Sequence, residues 1–205
     1  MADVLDLYAE PDASQYPVVC VAESPYQLVS EVRQPGLAAP GQPVRDDEED
    51  RRAGTCHWFL FLQPLGGWRH VKVTDRRTAQ DVAQWRKDVV DRHFPQAPWS
   101  TVVLDNLNTP TPAALYDTFT PAEARRRLQK LACRDTPTHG SWLHMAASAF
   151  AALSTQGLAR RIPDQATVRR RVGAWEASRN AQTVPIHWRF TTAKARRTLK
   201  RLYPS

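Results

Sequence analysis

The apolar positions of this chain follow two different periods. In the first third they come in short dense runs: Pro17 to Ala22 (PVVCVA), Tyr26 to Val32 (YQLVSEV), Thr55 to Pro64 (TCHWFLFLQP) and Trp68 to Thr74 (WRHVKVT). Runs of this length, rich in Val, Phe and Trp, read as strands. Ser24-Pro25 separates the first two and Leu65-Gly66-Gly67 the last two. The pattern therefore predicts two antiparallel hairpins. Between them, Arg33 to Gly54 is rich in Pro and charge and has no periodicity, which predicts a long loop.

From Thr78 the period lengthens. Val82, Trp85 and Val89 fall on one helical face in a segment running to Phe94, with Thr78 as N-cap. Val102 to Leu104 is a short strand ending at Asp105. Thr120, Pro121 and Glu123 spell a capping box with proline at the first helical position. A further short strand is read at Ala132 to Pro137, followed by an alanine-rich helix from the Ser141 region. Pro163 precedes a helix with Val168, Val172 and Trp175 on one stripe, and the last helix sets Ala195, Leu199 and Leu202 on one side. Trp85 and Trp175, on such stripes, read as core residues. Strands first, then strand and helix alternating, then helices, predict an α/β fold with a mixed sheet.

Composition narrows the class. The 205 residues are 42% hydrophobic and 24% charged, as in an ordinary globular domain. No run reaches a membrane span, and the acidic start MADVLDLYAEPDA is no secretory signal. Cys20, Cys56 and Cys133 are odd in number and widely spaced; that argues for free thiols and a cytoplasmic protein, against a zinc site. The net charge of +7 is uneven, with 12 bases against 2 acids from Thr155 onward. A basic C-terminal quarter suits a polyanion, nucleic acid first.

The stretch TVVLDNLNTPTP, Thr101 to Pro112, stops an apolar strand at a carboxylate. Ligands of open α/β sheets collect at the carboxyl ends of strands, so Asp105 is the candidate chemical residue. Taken with VCVAESPYQLVSEVRQP, GTCHWFLFLQPLGGWRHVKVTDRRT, TPTHGSWLHM, RRIPD and WRFTTAKARRTLKRLYPS, it resembles the catalytic half of bacterial insertion-sequence transposases related to the mariner elements. The resemblance extends over roughly Val4 to Ser205. It implies an RNase H-like fold, a five-stranded mixed sheet flanked by helices, and three carboxylates binding two Mg²⁺ or Mn²⁺ ions. Residues 1–16 would be a lead-in, 17–162 the RNase H-like DDE domain including the loop 33–54, and 163–205 basic helices packed on the same domain. Helix-turn-helix domains that precede the catalytic half in this family are expected to be missing, which makes the chain a truncated form.

The same resemblance shows where the chain departs. The family's first acid falls on Ala22, its second on Asp105 and its third on Ala147, with Ala149 also neutral. The family's His and Asn fall on Pro110 and His144. Glu23 is the candidate replacement for the first acid, although neighbouring strand residues point to opposite faces, so a bulge or turn at Ser24-Pro25 would have to rotate it. His144 reads as a satisfied surface or core histidine. Asp105 alone cannot hold two ions.

The primary reading is a catalytically inactive transposase-derived domain that still binds DNA. The alternatives are a still active metal-dependent endonuclease, or an interaction module that pairs with an intact transposase or with itself. DNA would be held nonspecifically through phosphate contacts. The candidates are Arg160, Arg161, Arg169, Arg170, Arg171, Arg196, Arg197, Lys200 and Arg201.

Overall fold

The computed structural model describes residues 1–31, 50–105, 112–138 and 140–202. Five strands form one mixed sheet: β1 (Val18–Glu31), β2 (Asp50–Gln63), β3 (Trp68–Thr74), β4 (Ser100–Leu104) and β5 (Leu131–Asp135), in the order β3-β2-β1-β4-β5. The first three are antiparallel to their neighbours, while β4 runs parallel to β1 and β5 parallel to β4. Seven α-helices are described: α1 (Ala2–Ala9), α2 (Ala79–Lys87), α3 (Ala113–Thr118), α4 (Pro121–Gln129), α5 (Met145–Gln156), α6 (Gln165–Gln182) and α7 (Thr192–Thr198). This is the α/β, RNase H-like arrangement that the resemblance implied.

Strand alternation divides the core into two layers. Cys20, Leu60, Leu62 and Val103 pack with α1, α5 and α6 on one face. Val19, Val21, Phe59, Phe61, Val102 and Leu104 pack with Val82, Trp85 and Val89 on the other. The stripe of Val82, Trp85 and Val89 read from the sequence is thus buried, as is that of Val168, Val172 and Trp175, while of the last stripe Ala195 is buried and Leu199 half-buried. Both threonine caps form with reciprocal hydrogen bonds, Thr78 with Asp81 and Thr120 with Glu123.

Four local expectations change. The first two apolar runs are not a hairpin but one continuous strand through Pro25. Only Val18 to Val21 pair with β4, so beyond them β1 has a sheet neighbour on one side among the described residues. An open edge tolerates a residue without an N–H. Second, Asp50 to Gly54 belong to β2 rather than to the preceding loop, whose remainder lies outside the described residues. Third, the helix starting at Thr78 changes hydrogen-bond pattern after Lys87 and ends in a π-helical turn, Asp88–His93. Fourth, the lead-in contains a helix, α1, that buries Val4, Leu5 and Tyr8.

Helix α6 covers the outer edge of β3 with side chains. Asn180 Oδ1 accepts from the Arg69 amide at 2.8 Å and its Nδ2 donates to the Arg69 carbonyl at 2.7 Å. One turn earlier, Glu176 accepts from the Val71 amide at 2.9 Å and pairs with His70 at 3.0 Å. The Arg69 amide and carbonyl and the Val71 amide are therefore satisfied without another strand, which guards an edge against intermolecular pairing. Among the described residues, no helix is long and apolar enough to cross a membrane.

Candidate functional site

Asp105 follows directly on β4, whose Leu104 pairs in parallel register with Val21 of β1. The next residues on the two strands are Asp105 and Ala22. They continue the alternation of Val103 and Cys20, and Ala22 packs against the α5-side core. Neighbouring strands lie about 5 Å apart, so the methyl group of Ala22 stands beside the carboxylate on the same face.

The partners of Asp105 come from the segment linking β5 to α5. Thr136 Oγ1 and Ser141 Oγ both donate to Oδ1, at 3.3 and 3.2 Å. Ser141 opens the single 3₁₀ turn Ser141–Leu143 that leads into α5. No local pattern marks Thr136 as a partner, because the parallel pairing of β5 with β4 is what delivers it. His144, the residue before α5, is 3% exposed, and its Nε2 lies 3.2 Å from the Val103 carbonyl. Burial pushes its pKa down, opposed by the Val103 and Val21 carbonyls and the charge of Asp105. It is a core histidine with one bonded nitrogen; Nδ1 has no hydrogen-bond partner among the described residues.

The remaining acidic positions do not converge on Asp105. Ala147 lies exposed in the first turn of α5, while Ala149 is buried. Glu23 pairs in register with Phe59, so it faces α2 rather than α5. Its carboxylate is 11% exposed and is held by Arg77 Nε at 2.6 Å, with His57 Nδ1 at 3.4 Å. The strand's bulge comes later, between Leu28 and Val29, and does not turn Glu23 inward. Among the described residues, no three His, Cys, Asp or Glu side chains gather as a metal ion requires. A pair of hard cations takes several carboxylate oxygens, and one carboxylate already accepting two hydroxyls does not fit it. Pro110 lies outside the described residues.

The basic candidates lie toward the same end of the sheet. The carboxyl end of β3 shares this end with those of β1 and β4, and Arg169 reaches it by donating to the Val73 carbonyl at 3.4 Å, with Asp75 at 3.9 Å. Arg160 and Arg161 precede Ile162, whose carbonyl accepts from the Val29 amide at 2.9 Å. Arg170 donates to Thr167, and Arg171 is half-buried. In α7, Ala195 packs with Leu143 beside the Ser141 turn; Arg196 and Arg197 of α7 and Lys200 and Arg201 of the 3₁₀ turn after it are exposed. Trp142, in the same turn, meets Phe190 edge-on at 5.5 Å.

Residues 17–169, more than half of the chain, match the family described as DDE superfamily endonuclease. No curated protein matches the sequence. Among solved structures, the chain is similar to the mariner Mos1 paired-end complex with Mg, at 15% identity and a TM-score of 0.51, covering 93% of this chain and 58% of that one. The Mos1 paired-end complex with Mn gives 16%, 0.47, 89% and 56%. The Mos1 transposase paired-end complex with left transposon end gives 17%, 0.46, 83% and 53%. At such identities the likeness is one of fold, and the chain spans little more than half the length of those proteins.

Proposed function

The chain belongs to the DDE superfamily of endonucleases, and we propose that it is a transposase-derived DNA-binding domain that has lost strand cleavage. Phosphoryl transfer by two metal ions needs carboxylates from separate elements, because the ions clamp the attacking and leaving oxygens of an in-line displacement. The observation that carries the reading is that Ala22 and Asp105 are the next residues after the last parallel pair, Val21 and Leu104. A second methyl, Ala147, stands where the third acid would come, and Glu23 is tied to Arg77 on the opposite face.

The Mos1 structures hold Mg, Mn and transposon-end DNA; the part of that chemistry we assign to this chain is DNA contact. Its support is the basic set on α6, α7 and the segments beside them, of which Arg169 reaches the carboxyl end of β3 and Arg196, Arg197, Lys200 and Arg201 are exposed. Arginines there neutralise backbone phosphates, which positions DNA without reading its sequence. The protein acts beside DNA in the cytoplasm, with its cysteines as thiols; all three are free.

A plasmid-nicking assay in Mn²⁺ tests the reading. The natural sequence is expected to leave plasmid intact, and the double variant Ala22→Asp, Ala147→Glu to nick it. Nicking by the natural sequence that disappears with Asp105→Asn would overturn the loss of cleavage.

A further inference from the structure

At the end of the sheet away from Asp105 there is a cavity of about 230 Å³ that DNA contact does not use. It lies between α1, the segment following α1, the starts of β1 and β4, and the β2–β3 turn. Val18, Leu65 and Met145 line it, and Tyr16 and Trp99 close one side. These two rings stack at 4.1 Å and 29°, yet keep 37% and 45% of their surface in water. Concave apolar surface with exposed rings at its mouth has the form of a small-molecule site.

The charge at the mouth narrows the ligand. The carboxylic acids lining the cavity are Glu10 and Asp12, and among the described residues no Lys, Arg or His lines it, in a chain whose net charge is +7. Neither carboxylate has an ion-pair partner among the described residues. An anion would meet like charge there, and a neutral apolar molecule would leave both carboxylates uncompensated. A cation gains from them, and a flat ring gains by stacking on the exposed indole.

We propose that this cavity binds a small organic cation built on a flat aromatic ring, with the ring against Trp99 and the charge toward Glu10 and Asp12. The walls come from α1 and from the sheet, so an occupant joins the first helix to the core and stabilises the whole chain. The proposal is independent of the DNA reading and stands or falls without it.

Benzamidinium, with neutral benzamide as its near-isostere, probes the site by isothermal titration and by thermal melts of the full chain. Benzamidinium is expected to bind and to raise the melting temperature. Benzamide should bind about fivefold more weakly, the ratio expected when one charge is drawn to exposed carboxylates. Trp99→Ala should abolish binding of both. Glu10→Gln with Asp12→Asn should bring the two probes to equal affinity while leaving benzamide unchanged, a result that misfolding cannot imitate. Equal binding of the two probes by the natural sequence, no binding of benzamidinium, or a benzamidinium affinity unaffected by either variant would each overturn the proposal.

Discussion

Ala22 and Asp105 are neighbours across the parallel pair β1–β4, one residue beyond Val21 and Leu104. The parallel register of β1 and β4 runs up to Val21 and Leu104, and Thr136 and Ser141 donate to Asp105. Under the function proposed above, Ala22 puts a methyl group where a second carboxylate would stand. Like charges at this spacing repel strongly when no cation is present. Their removal therefore relieves the empty fold of a cost that a working two-ion centre carries.

The response to metal should follow. Millimolar Mg²⁺ or Mn²⁺ is expected to raise the melting temperature of the natural sequence by no more than about one degree, because weak binding adds less than about 0.4 kcal/mol. Ala22→Asp with Ala147→Glu should melt lower than the natural sequence in a chelator and recover when Mn²⁺ is added. A marked Mn²⁺ stabilisation of the natural sequence would contradict the charge argument. Differential scanning fluorimetry reads both.

His93 should make the fold sensitive to mild acid. Burial, with His70 and Arg92 nearby, lowers its pKa to about 4, against partial opposition from Asp88 and Glu176. Below its ordinary pKa of about 6.5 the unfolded chain takes up a proton that the folded chain refuses. Stability is therefore expected to fall as pH drops from about 6.5 to about 4, by on the order of 2–3 kcal/mol from this residue. Urea midpoints across that range, compared with those of His93→Phe, isolate its share. Parallel curves for the two proteins would refute it.

Removing the side chain that covers β3 should expose the sheet. Asn180→Ala strips partners from both the amide and the carbonyl of Arg69. An unfolding free energy lower by about 1–3 kcal/mol is expected, the usual cost of leaving such groups unpaired. The edge should then favour self-association, seen as concentration-dependent light scattering below the unfolding transition. Asn180→Asp, which keeps only the acceptor, should fall between the two.

DNA affinity should be governed by salt. If Arg196, Arg197, Lys200 and Arg201 touch phosphates, replacing all of them with Gln should flatten the plot of log affinity against log salt. Each lost contact removes about 0.9 from the slope on duplex DNA. Fluorescence anisotropy with duplexes of unrelated sequence should give equal slopes for the unmutated chain. A slope unchanged by the four substitutions would remove α7 from the interface.

Much of the architecture was legible in local patterns. The caps at Thr78 and Thr120 and the buried faces of Val82, Trp85 and Val89 depend on residues three to seven apart, within reach of one helix. The hairpin of β2 and β3 was legible for the same reason, since Gly66-Gly67 sits between two runs of alternating apolar residues, and Gly67 takes a φ of +65°. The continuity of β1 through Pro25 was not. A proline signals a turn unless the strand is an open edge at that point, and the edge exists only because β4 ends its pairing at Val21. The start of β2 was hidden likewise, because charged residues such as Arg51 and Arg52 look like loop until β1 lies beside them.

By itself the sequence determined which residues stand at the positions to which the resemblance assigns acids, since identity at Ala22, Asp105 and Ala147 is a matter of covalent structure and of motif order. Tertiary structure alone decided what those identities amount to. Strand register brings Ala22 beside Asp105, alternation turns Glu23 to Arg77 on the far face, and the packing of α5 buries His144 against the Val103 carbonyl. Neighbourhood between residues more than eighty positions apart is set by which strands pair and in which direction, a cooperative outcome of the whole sheet that no short window contains.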